Sequence, residues 1–320
     1  MKRIRRVICL AACILLLLSL ASCTKKTDTA TLTIAYQYGM AYSPLLIMKE
    51  QQLIEKYAPG TTVEWTVLNS GSAINEGIAS GSVDVGAMGV GPAITGVMRG
   101  IPYRIFSAVS SQPQGLMTSL PDVMSLADIT ADQKIALVNI GSIQHILLAM
   151  AAKAELGDAH ALDNNIVAMA HPDGMAALLS GSVSYQLTTS PYIFKELNEP
   201  GIRMLDSISN VWPDGNTFIV AVAAQDLYDN HRSQYDAVVK ALQEACAYIE
   251  NNPEEVAALL CENEGVDEAT MLSWLQDPAC GYATETVGVL SMAQFMAENG
   301  FLDVAPQSFS DLAFENVLGN

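Results

Sequence analysis

Charge is scarce in this chain of 320 residues. Asp, Glu, Lys and Arg make up 16% of it, against 50% hydrophobic residues. That much apolar side chain can bury a core, which excludes a disordered acidic tail. Bases are scarcer than acids: 16 Lys and Arg stand against 34 Asp and Glu, for a net charge of −18. The deficit excludes the basic footprint that phosphate backbones require, so no nucleic-acid partner is expected. The six cysteines fall at 9, 13, 23, 246, 261 and 280, without a CxxC pair. Zinc-ligand spacing is missing, and Cys246, in helical register with Leu242 and Ile249, reads as a buried thiol. No metal site is expected. No Gly-rich P-loop signature occurs, so ATP hydrolysis must belong to a partner. His145 and His171 lack the local Ser or Cys arrangement that suggests a triad, so no catalytic residue and no cofactor is assigned.

Long hydrophobic runs are limited to one. Val7 to Leu20 is an apolar run of fourteen behind Lys2, Arg3, Arg5 and Arg6. It is shorter than the ~20 residues of a spanning helix. Leu20-Ala21-Ser22-Cys23 follows it. Small residues before a cysteine resemble the lipobox of bacterial lipoprotein signals. The resemblance implies a signal over 1–22, cleavage before Cys23, and a lipid on that cysteine. A polar tether then covers 23–31. Cleavage lowers the bases from 16 to 12 against 34 acids, a mature balance of −22. The expected location is the outer face of the cytoplasmic membrane, held there by the lipid.

The stretch that organises the chain is Ser80-Gly81-Ser82-Val83-Asp84-Val85-Gly86-Ala87-Met88-Gly89-Val90-Gly91-Pro92. It reads as a buried strand, a glycine-rich turn and a helix opened by proline. Part of it recurs one hundred residues later as Ser180-Gly181-Ser182-Val183, with Pro191 after it. Around both copies the order is the same: strand, turn, helix, strand, turn, helix, strand. Strands are expected at Leu32–Tyr36, Thr62–Leu68, the 83–87 stretch and Tyr103–Val109, then at Lys134–Val138, Asn165–Ala170 and Tyr185–Thr188. Thr217–Ala223 reads as a returning strand. Helices follow over Ser233–Asn251, Pro253–Asn263, Asp267–Leu275 and Glu285–Asn299. The fold class is therefore α/β, with two lobes, each a mostly parallel sheet flanked by helices. Lobe 1 takes 32–109, lobe 2 takes 110–215, and 216–320 returns to lobe 1 and ends in helices. Crossings near Ser107–Pro113 and Ser209–Asn216 make a hinge.

In open α/β sheets ligands sit beyond the carboxyl ends of strands, where helix N-termini point. That selects five loops: Tyr36–Ser43, Asn69–Ser72, Met88–Gly91, Asn139–His145 and Thr188–Tyr192. The expected ligand contacts are Gln37, Tyr38, Gly39, Ser43, Ser70, Gly71, Ser72, Gly89, Val90, Gly91, Asn139, Gly141, Ser142, Thr189 and Tyr192. Ser43 and Ser72 read equally well as ordinary helix caps. His171 reads as a turn residue. Trp212 either covers the ligand or packs in the hinge. None of the five loops contains Asp, Glu, Lys or Arg. An amino acid would want a carboxylate and a cation, and a polyphosphate several cations. The loops suit a small neutral or singly anionic organic solute.

Taken in order, the lipobox, Ser70-Gly71-Ser72, the stretch from Ser80 to Pro92, Gly141-Ser142, the run from Ala177 to Val183, Asn252-Pro253-Glu254-Glu255-Val256 and the run from Met296 to Leu302 resemble one family. It is the solute-binding proteins of ABC importers, in the nitrate/sulfonate/taurine group that also includes pyrimidine-precursor binders. The resemblance covers about residues 32–302. It implies a two-lobe periplasmic-binding-protein-like (type II) fold, a cleft between lobes, an ABC permease and its ATPase subunit as partners, and a monomer. It also puts a sulfonate-like ligand first and a neutral heterocycle second. Ser184 stands where the group often has an acid, and Tyr185-Gln186-Leu187 where it has an apolar strand. The alternative is an enzyme on the same scaffold acting on a pyrimidine-like or other small solute, or a surface sensor. The cysteine run of the pyrimidine-synthase branch is absent from the sequence.

Overall fold

The computed structural model describes residues 31–320. Cys23 and the signal lie outside the described residues. In chain order the elements are β1 (Thr31–Tyr36), α1 (Ser43–Glu50), α2 (Leu53–Tyr57), β2 (Thr62–Val67), α3 (Gly71–Ala79), β3 (Val85–Gly89), α4 (Val90–Met98) and β4 (Tyr103–Ser110). Then come β5 (Gln114–Thr118), β6 (Ile135–Leu137), α5 (Ile143–Leu156), β7 (Ile166–Ala168), α6 (His171–Leu179), β8 (Tyr185–Thr189), α7 (Tyr192–Leu197) and β9 (Arg203–Leu205). The chain closes with β10 (Ile219–Ala224), α8 (Gln225–Asn230), α9 (Arg232–Asn251), α10 (Pro253–Glu264), α11 (Glu268–Leu275) and α12 (Val289–Glu298).

Two five-stranded sheets share one layout, β2-β1-β3-β10-β4 and β7-β6-β8-β5-β9. In the first, β1 runs parallel to β2 and β3, while β10 is antiparallel to β3 and β4. In the second, β6 runs parallel to β7 and β8, while β5 is antiparallel to β8 and β9. The reversed strand in each sheet is the one just delivered by a chain crossing. Each sheet thus takes in one strand that the chain delivers as it passes from the other sheet, over residues 111–113 on the way out and 206–218 on the way back. Ser111 of the first crossing also exchanges backbone hydrogen bonds with Gly281, at 2.9 and 2.8 Å, so the C-terminal region braces that crossing.

The central strands β3 and β8 are buried along their whole length, as continuous apolar or small runs in a covered parallel sheet should be. The repeated tetrapeptide has a structural job. Gly81 and Gly181 end α3 and α6 with φ of +75° and +74°. Ser80 Oγ donates to Gly77 O, and Ser180 Oγ donates to Ala177 O. These junctions feed the starts of β3 and β8, while ligand-facing loops lie at the strands' other ends.

The structure departs from the sequence reading at several places. β5 and β9 are additional strands. β5 hides because Gly115 interrupts it; a Cβ there would lie 2.6 Å from Met204 Sδ of β9. His171, expected in a turn, is instead the first residue of α6, with Pro172 in its first turn. α12 begins at Val289, not Glu285, because Thr286 bridges to Gly319 and its N–H donates to Leu318 O. Trp212 is buried, with its ring edge 3.2 Å from a Cβ built at Gly288, and packs at the second crossing.

Candidate functional site

A cavity lies between the two lobes. Gln37, Tyr38, Ala41, Tyr42, Asn69, Gly71, Gly89, Pro92, Phe218 and Ile219 line it from the side of the first sheet. Val138, Asn139, Ser142, Ile143, Gln144, Ala170, His171, Pro172 and Thr189 line it from the second. No Asp, Glu, Lys or Arg is among them. The cavity is small, with a volume of about 50 Å³. That admits a few waters or a small polar head group.

Three helices open onto this space. The first N–H groups of a helix lack intrahelical acceptors and carry the positive end of its dipole. In α3 the Ser70 hydroxyl takes Ala73 N–H at 3.2 Å, leaving Gly71 and Ser72 N–H without an acceptor among the described residues. In α5 the Ser142 hydroxyl takes His145 N–H at 3.3 Å and leaves those of Ile143 and Gln144. In α6 the Ala170 carbonyl takes Gly174 N–H at 2.9 Å and leaves those of His171 and Asp173. α4 keeps such a group, the N–H of Gly91. Val90 N–H donates to Phe218 O at 3.1 Å, and Pro92 has no N–H.

His171 is the imidazole of the wall. Burial depresses its imidazole to about 4, so it is neutral at physiological pH. Its Nδ1 is 3.0 Å from Thr188 Oγ1, and its ring stacks on Tyr192 at 5.5 Å and 24°. Burial also pushes the Tyr192 phenol up to about 12. Tyr42 is buried with its phenol bonded to the Gln37 side chain, and burial raises its pKa. Thr189 Oγ1 donates to Pro113 O at 2.9 Å and accepts from Gln114 Nε2 at 2.8 Å. The wall therefore offers neutral donors, amide side chains and aromatic faces.

Of the residues expected from sequence, Gln37, Tyr38, Gly71, Gly89, Asn139, Ser142 and Thr189 line the cavity. The others sit elsewhere. Ser43 is fully buried and spends its hydroxyl on Met40 O at 2.7 Å; it is the first residue of α1, with Tyr42 before it as N-cap. Gly39 adopts φ +109°, and a Cβ on it would lie 3.5 Å from Ser190 O. Ser70 caps α3. Ser72 Oγ meets Asn139 Nδ2 at 3.4 Å and belongs to a neighbouring groove. Val90 is buried, and the free N–H expected there is taken by Phe218. Gly91 lies beneath Ile143 and Ile146. Gly141 N–H donates to His145 Nδ1 at 3.0 Å, and Tyr192 backs His171. Sequence reading missed Gln144 and His171 as wall residues. The hundred-residue offset could have found His171, since it opens α6 as Gly71 opens α3.

A family model described as the NMT1-like family matches residues 25–262. The chain belongs to the NMT1-like family. The chain's relatives are distant. An Escherichia coli (strain K12) protein named for binding aliphatic sulfonates is 24% identical over 274 residues, 85% of this chain and 83% of that protein. The taurine-binding periplasmic protein of the same organism is 23% identical over 311 residues, 92% and 95% of the two chains. The alkanesulfonate-binding protein of Xanthomonas axonopodis pv. citri, solved with MOPS bound, shares the fold with a TM-score of 0.73 at 19% identity, covering 91% of this chain and 99% of that one. The two-sheet layout of this NMT1-like chain is thus the periplasmic-binding-protein fold. Among its described residues no group of three His, Cys, Asp or Glu is placed to hold a metal ion, and no helix is long and apolar enough to cross a membrane.

Proposed function

We propose that this protein is the extracytoplasmic solute-binding component of an ABC importer. It captures a small neutral or monoanionic organic solute, a sulfonate first, in the interlobe cleft and delivers it to a permease and its ATPase subunit. The observation that carries the reading is the cleft wall: three open helix N-termini converge where no charged side chain stands. Such termini hold an anion's oxygens by N–H donors and dipole without a lysine or arginine. The relatives' names point to the same chemistry. Lobes with strands over 32–109 and 110–215, and a return from 216, close about the two crossings on the ligand. The protein acts as a monomer held to the outer face of the membrane by a lipid on Cys23.

Calorimetry against ethanesulfonate, taurine, nitrate, pyrimidines, basic amino acids and polyamines tests the ligand class. Micromolar affinity for a sulfonate is expected. Binding confined to polyamines or basic amino acids would overturn it, and binding confined to pyrimidines would select the heterocycle. Cys23→Ala should abolish lipid labelling; unchanged incorporation refutes the anchor.

A further inference from the structure

A chain of side chains runs from the cleft to the opposite lobe. Gly141 N–H donates to His145 Nδ1 at 3.0 Å. A backbone N–H can only donate, so Nδ1 is bare and the proton of this ring sits on Nε2. Nε2 faces Asp163 Oδ1 at 3.2 Å. The other carboxylate oxygen, Oδ2, is 2.8 Å from His160 Nδ1. His160 Nε2 lies 2.8 Å from Asn299 O, beyond the end of α12. Both nitrogens of His160 therefore face acceptors, which requires the doubly protonated ring. Phe301 packs against both rings, at 5.3 Å from His145 and 5.0 Å from His160.

The two ends belong to different lobes. His145 lies on α5, and Asp163 immediately precedes β7 of the second sheet. Asn299 follows α12, which packs on α4 beside the first sheet. The cleft end is the loop that carries Asn139 and Ser142 into the cavity wall. Ser142 is bound to His145 a second time, through the cap on His145 N–H. We propose that His145, Asp163 and His160 position the loop Asn139–Ser142 and clasp it to Asn299 of the other lobe, so that closure and ligand affinity weaken as His160 loses its proton. The ligand half of this rests on the binding reading above; the clasp itself does not.

The charged groups around His160 are Asp163 and Asp158 of its own lobe, with His145 behind Asp163; the other lobe contributes a carbonyl and the Phe301 ring. The Asn299 carbonyl first, then Asp163, raises its pKa above the ordinary 6.5, while burial keeps His145 below that value and neutral. The sign follows. The clasp is complete below pH 6.5 and is lost as pH rises through the raised value of His160.

The test uses the full chain, with His160→Gln and Asp163→Asn beside the wild type. Spin-label distances across the lobes in the ligand-free protein, measured from pH 6 to 9, should lengthen with pH in the wild type. They should be long and pH-independent in His160→Gln. Ethanesulfonate affinity should fall about two- to fivefold over that range in the wild type, the scale of an exposed ionic contact, and stay flat in both variants. A His160→Gln protein that keeps the wild-type pH profile of distances overturns the clasp. Failure of ethanesulfonate to bind at any pH would instead count against the ligand reading, and the ligand-free distances would still decide the clasp.

Discussion

Ile143 occupies the space that a side chain at Gly89 would need. A Cβ built on Gly89 would lie 2.8 Å from Ile143 Cγ2 and 3.1 Å from Ile143 Cβ. The glycine ends β3 of the first sheet, and the isoleucine opens α5 beside the second. Gly91 repeats the relationship, with Ile146 Cγ1 at 3.2 Å. The glycines expected as ligand contacts are also where one lobe admits the other.

Gly89→Ala should therefore act on closure rather than on folding. The overlap is between lobes, so parting them relieves it without repacking either core. Overpacking of this kind costs about 1–3 kcal/mol, roughly five- to a hundredfold in Kd. Calorimetry should show that loss, and scattering should show less compaction with ligand than in the wild type. Unchanged affinity together with unchanged compaction would contradict the closed contact.

His171 sets an acid limit. Its folded value of about 4 lies below the ordinary 6.5, so between those values the unfolded chain binds a proton that the fold refuses. Its contribution to stability is complete above pH 6.5 and declines as pH falls toward 4. The full shift corresponds to about 3 kcal/mol, and partial solvent access at the cavity wall brings the expectation to about 1–2 kcal/mol. Chemical denaturation of His171→Gln at pH 7 and pH 4.5 should show a smaller acid loss than the wild type. An equal loss would mean that another group governs that range.

Ser70 and Ser142 cap α3 and α5 in the same way, yet they predict different mutants. Ser70 does not line the cavity, whereas Ser142 does. Each Ser→Ala change should destabilise by about 1 kcal/mol. Ser142→Ala should in addition weaken solute binding, while Ser70→Ala should leave it near wild type. Equal binding losses in both would show that cap rigidity, rather than position, controls the site.

The α/β class and the repeated strand order were legible because buried central strands such as 85–89 are apolar or small and because glycines end the helices before them. β5 was not, since Gln114, Gly115 and Thr118 carry no apolar alternation and their burial comes from strands distant in sequence. At the site, loops could be located from strand ends, but which of their atoms remained free could not. Val90 N–H is consumed by Phe218, and Ser43 Oγ by Met40 O. Phe218 arrives at the far end of the second crossing, and nothing local to residue 90 signals it.

Glu196 lies on α7 and is fully buried, with both carboxyl oxygens unpartnered among the described residues. Its neighbour Lys195 is engaged elsewhere, with Nζ 3.0 Å from Glu264. Burial alone pushes the Glu196 carboxyl up to about 8 from the ordinary 4.5, so the fold holds it protonated at neutral pH. The unfolded chain ionises above pH 4.5, and the folded chain does not until about 8. The fold therefore loses stability as pH rises through that interval, with the full contribution present only below it. Glu196→Gln keeps the shape and removes the titration. It should be more stable than the wild type by about 1–3 kcal/mol at pH 8 and nearly equal to it at pH 4.5, because the amide has no proton for the unfolded chain to release. Urea denaturation at the two pH values measures both differences. A variant less stable than the wild type at pH 8, or one with the same dependence on pH, would show that Glu196 is ionised in the fold and has a partner there.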